Sequence, residues 1–211
     1  MTNIKKPKNN TSFWNRYAKL YDFEIHRFSG KAYDEMYRLM ANSLAPDMYV
    51  LEVATGTGLI AVNIAAAVRF VEATDFSPKM IDKAKKKKAP GNVSFSVEDA
   101  TKLSFKNNSF DAVIISNALH IMPEPAGVLS EISRVLKPKG RLIAPTFSHG
   151  HLKDSASSLN ARILKAIGFE TYSKWTPDEY VEFIQSSGFH VERWQILQAA
   201  FPLVYLEAVH D

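Results

Sequence analysis

The sequence predicts an α/β protein built on a largely parallel sheet. Three observations predict it. Apolar runs of strand length alternate with helix-forming segments along most of the chain. The stretch Val50-Leu51-Glu52-Val53-Ala54-Thr55-Gly56-Thr57-Gly58 reads as a buried strand that ends in a tight glycine turn and opens a helix. Glycine is needed there for positive φ or for close approach of a ligand, and the helix would point its unpaired N–H groups at that ligand. Finally, 211 residues with 46% hydrophobic and 23% charged side chains suit a single domain with a substantial core. Within that compact unit, residues 1–44 are expected to form a tail and helical cap, and residues 45–211 the ligand-binding domain.

The elements follow in order. Thr11 to Phe28 reads as one helix and Lys31 to Leu44 as a second, stopped before Pro46. Strand one is expected over Met48 to Val53, with a helix through about Ala67, and strand two over Arg69 to Thr74. Ser77-Pro78 sets a helix start, serine as N-cap and proline in the first turn, and Pro90-Gly91 ends that helix. Strand three is Asn92 to Val97 and strand four Phe110 to Ser116. A helix over Pro125 to Leu136 leads through the turn Lys137-Pro138-Lys139-Gly140 to strand five, Arg141 to Pro145. A polar stretch follows, then a helical segment to Ile167 and a capped helix from Thr176-Pro177 to Ser186. Two last strands are expected at His190 to Leu197 and Ala200 to Val209, with Pro202 suggesting an edge or a bulge.

Composition excludes several chemistries. There is no cysteine, hence no disulfide, thiolate metal site or cysteine nucleophile. No apolar run approaches the roughly 20 residues of a membrane span, and the lysine-bearing first ten residues are no secretory signal. A cytoplasmic location is expected. The formal net charge is +4. Much of the excess sits in Lys5, Lys6 and Lys8 and in the run Lys83, Lys85, Lys86, Lys87 and Lys88. That run reads as the solvated end of a helix. Peripheral contact with anionic lipid is the alternative. No aromatic residues interleave as a single-strand nucleic-acid binder would require.

Gly56-Thr57-Gly58-Leu59-Ile60-Ala61 satisfies the dinucleotide pattern G-x-G-x-x-G/A, with Asp75 at a suitable distance. An NAD(P)-dependent oxidoreductase is therefore one reading. Against it, the loop lies after two helices, and Glu52 stands four residues before Gly56, where a carboxylate would repel a pyrophosphate. S-adenosylmethionine (SAM) fits better: it carries a sulfonium, an ammonium, two ribose hydroxyls and an adenine, and no phosphate. Asp75, at the end of strand two, suits the ribose hydroxyls, at roughly 1.5–3 kcal/mol per hydrogen bond to a charged group. Phe76 suits the adenine face. Asp99 and the Ala100 N–H suit the adenine edge.

These residues resemble the class I SAM-dependent methyltransferases, in the group that includes the ubiquinone/menaquinone methyltransferases. The matching pieces are residues 51–58, Ala73-Thr74-Asp75-Phe76-Ser77-Pro78-Lys79-Met80, Glu98-Asp99-Ala100, Phe110-Asp111-Ala112-Val113 and Arg134-Val135-Leu136-Lys137-Pro138-Lys139-Gly140, in family order over about Tyr49 to Pro145. The family usually has glycine where Ala54 stands, and often where Lys139 stands. The resemblance implies a Rossmann-like, seven-stranded, mostly parallel sheet with helices on both faces, the last strand antiparallel, and an N-terminal helical cap. It also implies SAM as cofactor, with S-adenosylhomocysteine as product. The candidate cofactor contacts are Tyr17, Glu52, Ala54, Thr55, Gly56, Gly58, Asp75, Phe76, Met80, Asp99, Ala100 and Asn117. The segment from Phe13 to Asp22 resembles the family's pocket cover. Tyr17 and Tyr21, four apart, share a helix face there.

Methyl transfer needs alignment above all, and no residue pattern announces a base. His120, in Ser116-Asn117-Ala118-Leu119-His120, is the leading candidate to contact or deprotonate the acceptor, with Tyr21 second; a packed, hydrogen-bonded histidine is the alternative for His120. His149 and His151 follow strand five, but no carboxylate stands at metal-site spacing, so no metal is expected. A small-molecule or lipid-like acceptor is expected, and nucleic acid is not favoured. A non-catalytic SAM-binding module is the remaining alternative.

Overall fold

The computed structural model describes residues 13–15, 21–148, 171–198 and 202–210. Helix α1 runs Tyr21–Ser43 without the expected break at Ser29-Gly30. A mid-helix glycine costs about 1 kcal/mol. Tyr33, Met36, Leu39 and Met40 of the same helix are buried at helical spacing in the core, and each such burial contributes about 1.5–3 kcal/mol. Tertiary packing therefore outweighs the local signal.

Strand β1 (Tyr49–Val53) leads into the short helix α2 (Leu59–Ile64), which tightens into a 3-10 turn over Ala65–Ala67. Then come β2 (Phe70–Asp75), α3 (Pro78–Lys85), β3 (Val93–Val97) and β4 (Phe110–Ile115). Ser77 caps α3 as expected, its side chain accepting from the Met80 N–H. Helix α4 (Pro125–Val135) passes directly into β5 (Leu136–Ile143). The expected turn at 137–140 is a bulge inside β5: Phe110 pairs with Leu136, but Ala112 pairs with Arg141. Strand β6 (Thr146–Phe147), helix α5 (Pro177–Ser186), β7 (Phe189–Leu197) and β8 (Leu203–His210) follow among the described residues. Helix α5 starts on a full capping box between Thr176 and Glu179.

Among the described residues the sheet has eight strands, one more than expected, in the order β3-β2-β1-β4-β5-β8-β6 with β7 on the free side of β8. The additional strand has a simple origin. Strands β5 and β6 both pair antiparallel with β8, through Arg141–Ile143 and Thr146–Phe147. Pro145 stands between them and has no N–H to give. The last strand is antiparallel to its neighbours, as expected. It is not an edge, however: Pro202 precedes β8, which is paired on both sides.

Alternation along the strands builds two cores. Val50, Val71, Ala73, Ala112 and Ile114 face α1 and α2. Leu51, Val53, Val113, Ile115 and Leu142 face α4 and α5. The chain runs outward from β1 through β2 to β3, then returns to place β4 on the other side of β1. A crevice at the carboxyl ends of β1 and β4 is the consequence, the usual position of ligands in such sheets.

Candidate active site

A cavity of about 320 Å3 opens at that crevice. Its first wall is the loop after β1. Ala54 takes φ 57° and Gly56 φ 58° there. An L-residue with a side chain costs about 1–2 kcal/mol in this left-handed region. The loop holds Ala54 to it through the Thr55 N–H donated to the Thr74 carbonyl (2.8 Å) and the Gly58 N–H donated to the Thr55 carbonyl (3.0 Å).

Asp75 closes β2 and joins this loop to the next. One carboxylate oxygen accepts the Gly56 N–H at 2.9 Å and the other the Ser77 N–H at 2.8 Å. Burial raises its carboxyl pKa, against the pull of these two N–H groups. Each oxygen keeps a further lone pair for a ligand hydroxyl. Phe76 stands 42% exposed beside it, and Met80 reaches the wall from α3. Beyond β3, Glu98, Asp99 and Ala100 line the far end. Asp99 Oδ1 accepts both the N–H and the hydroxyl of Thr101, which fixes the turn. On the other side of the crevice stand Ser116, Asn117, Ala118, Ile121 and Met122, with Tyr172 and Trp14.

The charge on these walls has one sign. Asp75, Glu98, Asp99 and Glu124 line the cavity, and among the described residues no lysine, arginine or histidine does. A protein of net charge +4 thus carries an acidic cavity. Such a set of acceptors fits a cationic ligand with hydroxyl and amino donors, and opposes a pyrophosphate.

Eight expected residues therefore meet at one cavity: Ala54, Gly56, Asp75, Phe76, Met80, Asp99, Ala100 and Asn117. Four do not. Glu52 shares the face of β1 with Val50 and lies under α2, 1% exposed. It accepts the Thr55 hydroxyl at 2.6 Å. Burial pushes its pKa from 4.5 to about 8; the Thr55 hydroxyl and the Ala61 N–H pull it down, the Asp75 charge raises it, and Lys87 lowers it. The case against pyrophosphate consequently rests on the cavity carboxylates and not on Glu52. Thr55 turns its hydroxyl inward to Glu52 and does not line the cavity. Gly58, at φ 78°, is a packing residue: a Cβ there would lie 2.7 Å from the Phe95 ring and 3.2 Å from Ala84.

His120 is the fourth. It is 6% exposed, its Nδ1 is 2.9 Å from the Thr146 hydroxyl, and its carbonyl accepts the N–H groups of Tyr172 and Ser173. The 3-10 turn Leu119–Ile121 holds it as a tie between strand ends, off the cavity wall. Tyr17, His149, His151 and the side chain of Tyr21 lie outside the described residues. Trp14 and Asn15 do belong to the expected cover. Trp14 lines the cavity, and Asn15 accepts the Ser77 hydroxyl at 2.5 Å. The sequence reading passed over Trp14, although its aromatic segment was the available signal, and over Tyr172, which no motif marks.

Fold and cavity define a doubly wound domain with its binding crevice at the topological switch point. Residues 51–144 match the family described as Methyltransferase domain. The chain is 35% identical over 187 residues to a demethylmenaquinone methyltransferase of Renibacterium salmoninarum, covering 86% of this chain and 77% of that protein. It is 31% identical over 189 residues to the ubiquinone/menaquinone biosynthesis C-methyltransferase UbiE of Geotalea daltonii, covering 82% and 80%. A Haloferax volcanii putative methyltransferase, solved in complex with the Trm112 methyltransferase activator, shares the fold at a TM-score of 0.79 and 18% identity, over 95% of this chain and 97% of that one. The chain belongs to the class I SAM-dependent methyltransferases. The oxidoreductase and non-catalytic alternatives fall with this assignment.

Proposed function

We propose that the methyl acceptor is a hydroquinone-type aromatic compound with an apolar tail. In this reading Asp75, Phe76, Met80, Asp99 and Ala100 hold the nucleoside of SAM, while Ala54 and Gly56 face its methionine part. The observation that carries it is the division of the cavity. Three of the four lining carboxylates, Asp75, Glu98 and Asp99, gather at the β2 and β3 ends, and the β4 side presents Ala118, Ile121, Met122, Pro123 and Val128 beside Glu124. An apolar ring suits the second half, and the relatives named for menaquinone and ubiquinone biosynthesis support that chemistry.

SAM, when bound, supplies a methyl group on a positively charged sulfur. The chain's own contribution is alignment and exclusion of water. The two strained loops after β1 and β4 fix the crevice walls, because Val53 pairs with Ile115 and the loops leave side by side. Trp14 lies against the cavity from the N-terminal segment. Holding reactants in line supplies several kcal/mol of barrier lowering. Glu52, Thr55 and Gly58 act through the loop, which they support from beneath.

The test is turnover. Incubation with SAM and a 1,4-naphthohydroquinone bearing a short prenyl chain is expected to yield S-adenosylhomocysteine and a product one methyl heavier by mass spectrometry. Binding of SAM without that product would remove the acceptor class. Asp75→Ala is expected to lower SAM affinity at least about tenfold.

A tailed acceptor also gives the exposed lysines a role. Lys79, Lys85, Lys86 and Lys88 stand on and just after α3, close in sequence to the exposed Phe76. Anionic lipid attracts such residues with about 1 kcal/mol each. Co-sedimentation with phosphatidylserine vesicles that disappears at high salt is the expected result, and salt-independent or absent binding would remove it.

A further inference from the structure

The lysines between residues 83 and 88 do not all face solvent. Lys85, Lys86 and Lys88 are exposed, whereas Lys87 is half-buried. Lys87 lies just past the end of α3. Its N–H is donated to the Ala84 carbonyl at 3.0 Å, and its own carbonyl accepts the Ala89 N–H at 2.9 Å. With the backbone fixed in this way, the ammonium group reaches the glycine turn after β1. Nζ donates to the Thr57 carbonyl at 2.7 Å and to the Thr57 hydroxyl at 3.0 Å. Thr57 is fully buried, and its neighbours Gly56 and Gly58 both take positive φ.

The lysine replaces a bond that a helix would supply. In a regular helix the Thr57 carbonyl accepts from the Ala61 N–H, four residues on. Here the Ala61 N–H is donated to the buried Glu52 carboxyl, and the Thr57 carbonyl takes Lys87 instead. Glu52 and Lys87 together stand in for the first hydrogen bond of α2. They also offset each other: burial raises the Glu52 pKa, and the Lys87 charge works against it. The turn is gripped from both ends of α3. Asp75, before that helix, accepts the Gly56 N–H at 2.9 Å; Lys87, after it, donates to the Thr57 carbonyl. The peptide units on either side of the Gly56–Thr57 bond are fixed by these two contacts. Gly58 packs next to them on Ala84 of α3, where an added Cβ would lie 3.2 Å away. The loop after β4, by contrast, holds its strained residue, Asn117 at φ 51°, through a backbone bond to the Pro145 carbonyl at 2.8 Å.

We infer that Lys87 is a positioning residue for the cofactor: its ammonium group holds the glycine turn in the shape that receives SAM, without touching the ligand. Lys87 and Thr57 lie off the cavity wall, which Ala54 and Gly56 form. This rests on the placement of Ala54 and Gly56 against SAM given above, and it is independent of the acceptor. The direction of the effect is its signature. The cavity is lined by carboxylates and the ligand is cationic. A lysine acting only through its charge would weaken SAM binding, and its removal would strengthen it. A lysine that shapes the turn acts in the opposite direction.

The experiment measures SAM affinity by calorimetry, and the melting temperature of the ligand-free chain, in the wild type, Lys87→Met, Lys87→Arg, Thr57→Val and Asp75→Ala. Lys87→Met keeps the stem and loses the donors. Lys87→Arg keeps donors and charge. Thr57→Val removes only the hydroxyl acceptor. The expected result is a SAM Kd raised about tenfold in Lys87→Met, the size of one hydrogen bond from a charged group. Lys87→Arg stays within about threefold of wild type, and Thr57→Val weakens binding about threefold. A Kd in Lys87→Met within about twofold of wild type, or tighter, would overturn the inference. A lowered melting temperature beside it would show that the lysine serves the fold alone. An equal loss in Lys87→Met and Lys87→Arg would assign the effect to packing and overturn it as well. Should Lys87→Met fail to fold, an unchanged Kd in Thr57→Val would do the same. Loss of affinity in Asp75→Ala but not in Lys87→Met would sink this inference alone; loss in neither would sink the placement of SAM at this turn.

Discussion

Two residues that stand where the family places glycine show how a departure from the pattern becomes geometry. Ala54 and Lys139 both take positive φ, 57° and 63°. The difference lies in what each side chain meets. Ala54 lines the cavity, so its strain sits at the site. Lys139 is exposed on the β5 bulge and touches no part of the site. Lys139→Gly relieves about 1–2 kcal/mol of left-handed strain and returns part of it as unfolded-chain entropy. A net stabilisation of about 0.5–1 kcal/mol is expected, seen as a rise in Tm of about 1–4 °C with unchanged SAM affinity. A lowered Tm would show that the lysine makes a compensating contact.

Glu52 was legible as unusual, but its position beneath the loop was not. A carboxylate before a glycine loop suggests a ligand contact, but the period-2 alternation of β1 sends it beneath α2. Its raised pKa has a signed consequence. The folded state keeps a proton that the unfolded chain releases above about pH 4.5, so stability falls as pH rises towards about 8. Glu52→Gln imitates the protonated form. Denaturant titrations from pH 5 to 8 are expected to show a flatter pH dependence than wild type and equal or greater stability at pH 8. A variant less stable than wild type at pH 8 would contradict this.

At the scale of elements, the legible parts are those with strong local chemistry. The Ser77-Pro78 start of α3 and the Thr176–Glu179 capping box of α5 satisfy orphan N–H groups by themselves and need no tertiary information. The misread elements depend on contacts distant in sequence. The break expected in α1 vanishes under core packing, and β6 exists only because β8 is there to pair with it.

The same distance hides the network around Glu207. This β8 carboxylate is 2% exposed and accepts from Arg193 of β7, Arg141 of β5, Ser43 at the end of α1 and Tyr205. Burial alone would raise its pKa, but the bonds from Arg193, Ser43 and Tyr205 together hold it below 4.5. Its contribution is present above the ordinary carboxylate range and is lost as pH falls through it. Both arginines stay partly solvated, which moderates the penalty of breaking a buried pair. Glu207→Gln is expected to lose about 2–3 kcal/mol of unfolding free energy at pH 7 while leaving SAM affinity unchanged. A loss under about 0.5 kcal/mol would show the network to be incidental.

For the molecule as a whole, strand–helix alternation and one glycine turn made the parallel sheet readable, and the order β3-β2-β1-β4-β5 puts the readable motifs on neighbouring strand ends. The cavity wall after β1, β2 and β3 was legible because it is built from residues next to those strand ends. Trp14 and Tyr172 of the cavity wall were not, because they come from segments that meet the strand ends only in the folded chain. The uniform negative charge of the cavity inside a basic protein belongs to this scale too, since Asp75, Glu98, Asp99 and Glu124 come from three separate loops.

That charge makes ligand choice the most direct test. Isothermal titration of the purified chain with SAM and, separately, with NADH measures whether the cavity takes a cationic adenosine compound or a pyrophosphate. Saturable binding of SAM with no detectable heat from NADH is the predicted result. Binding of NADH, with SAM giving none, would contradict it.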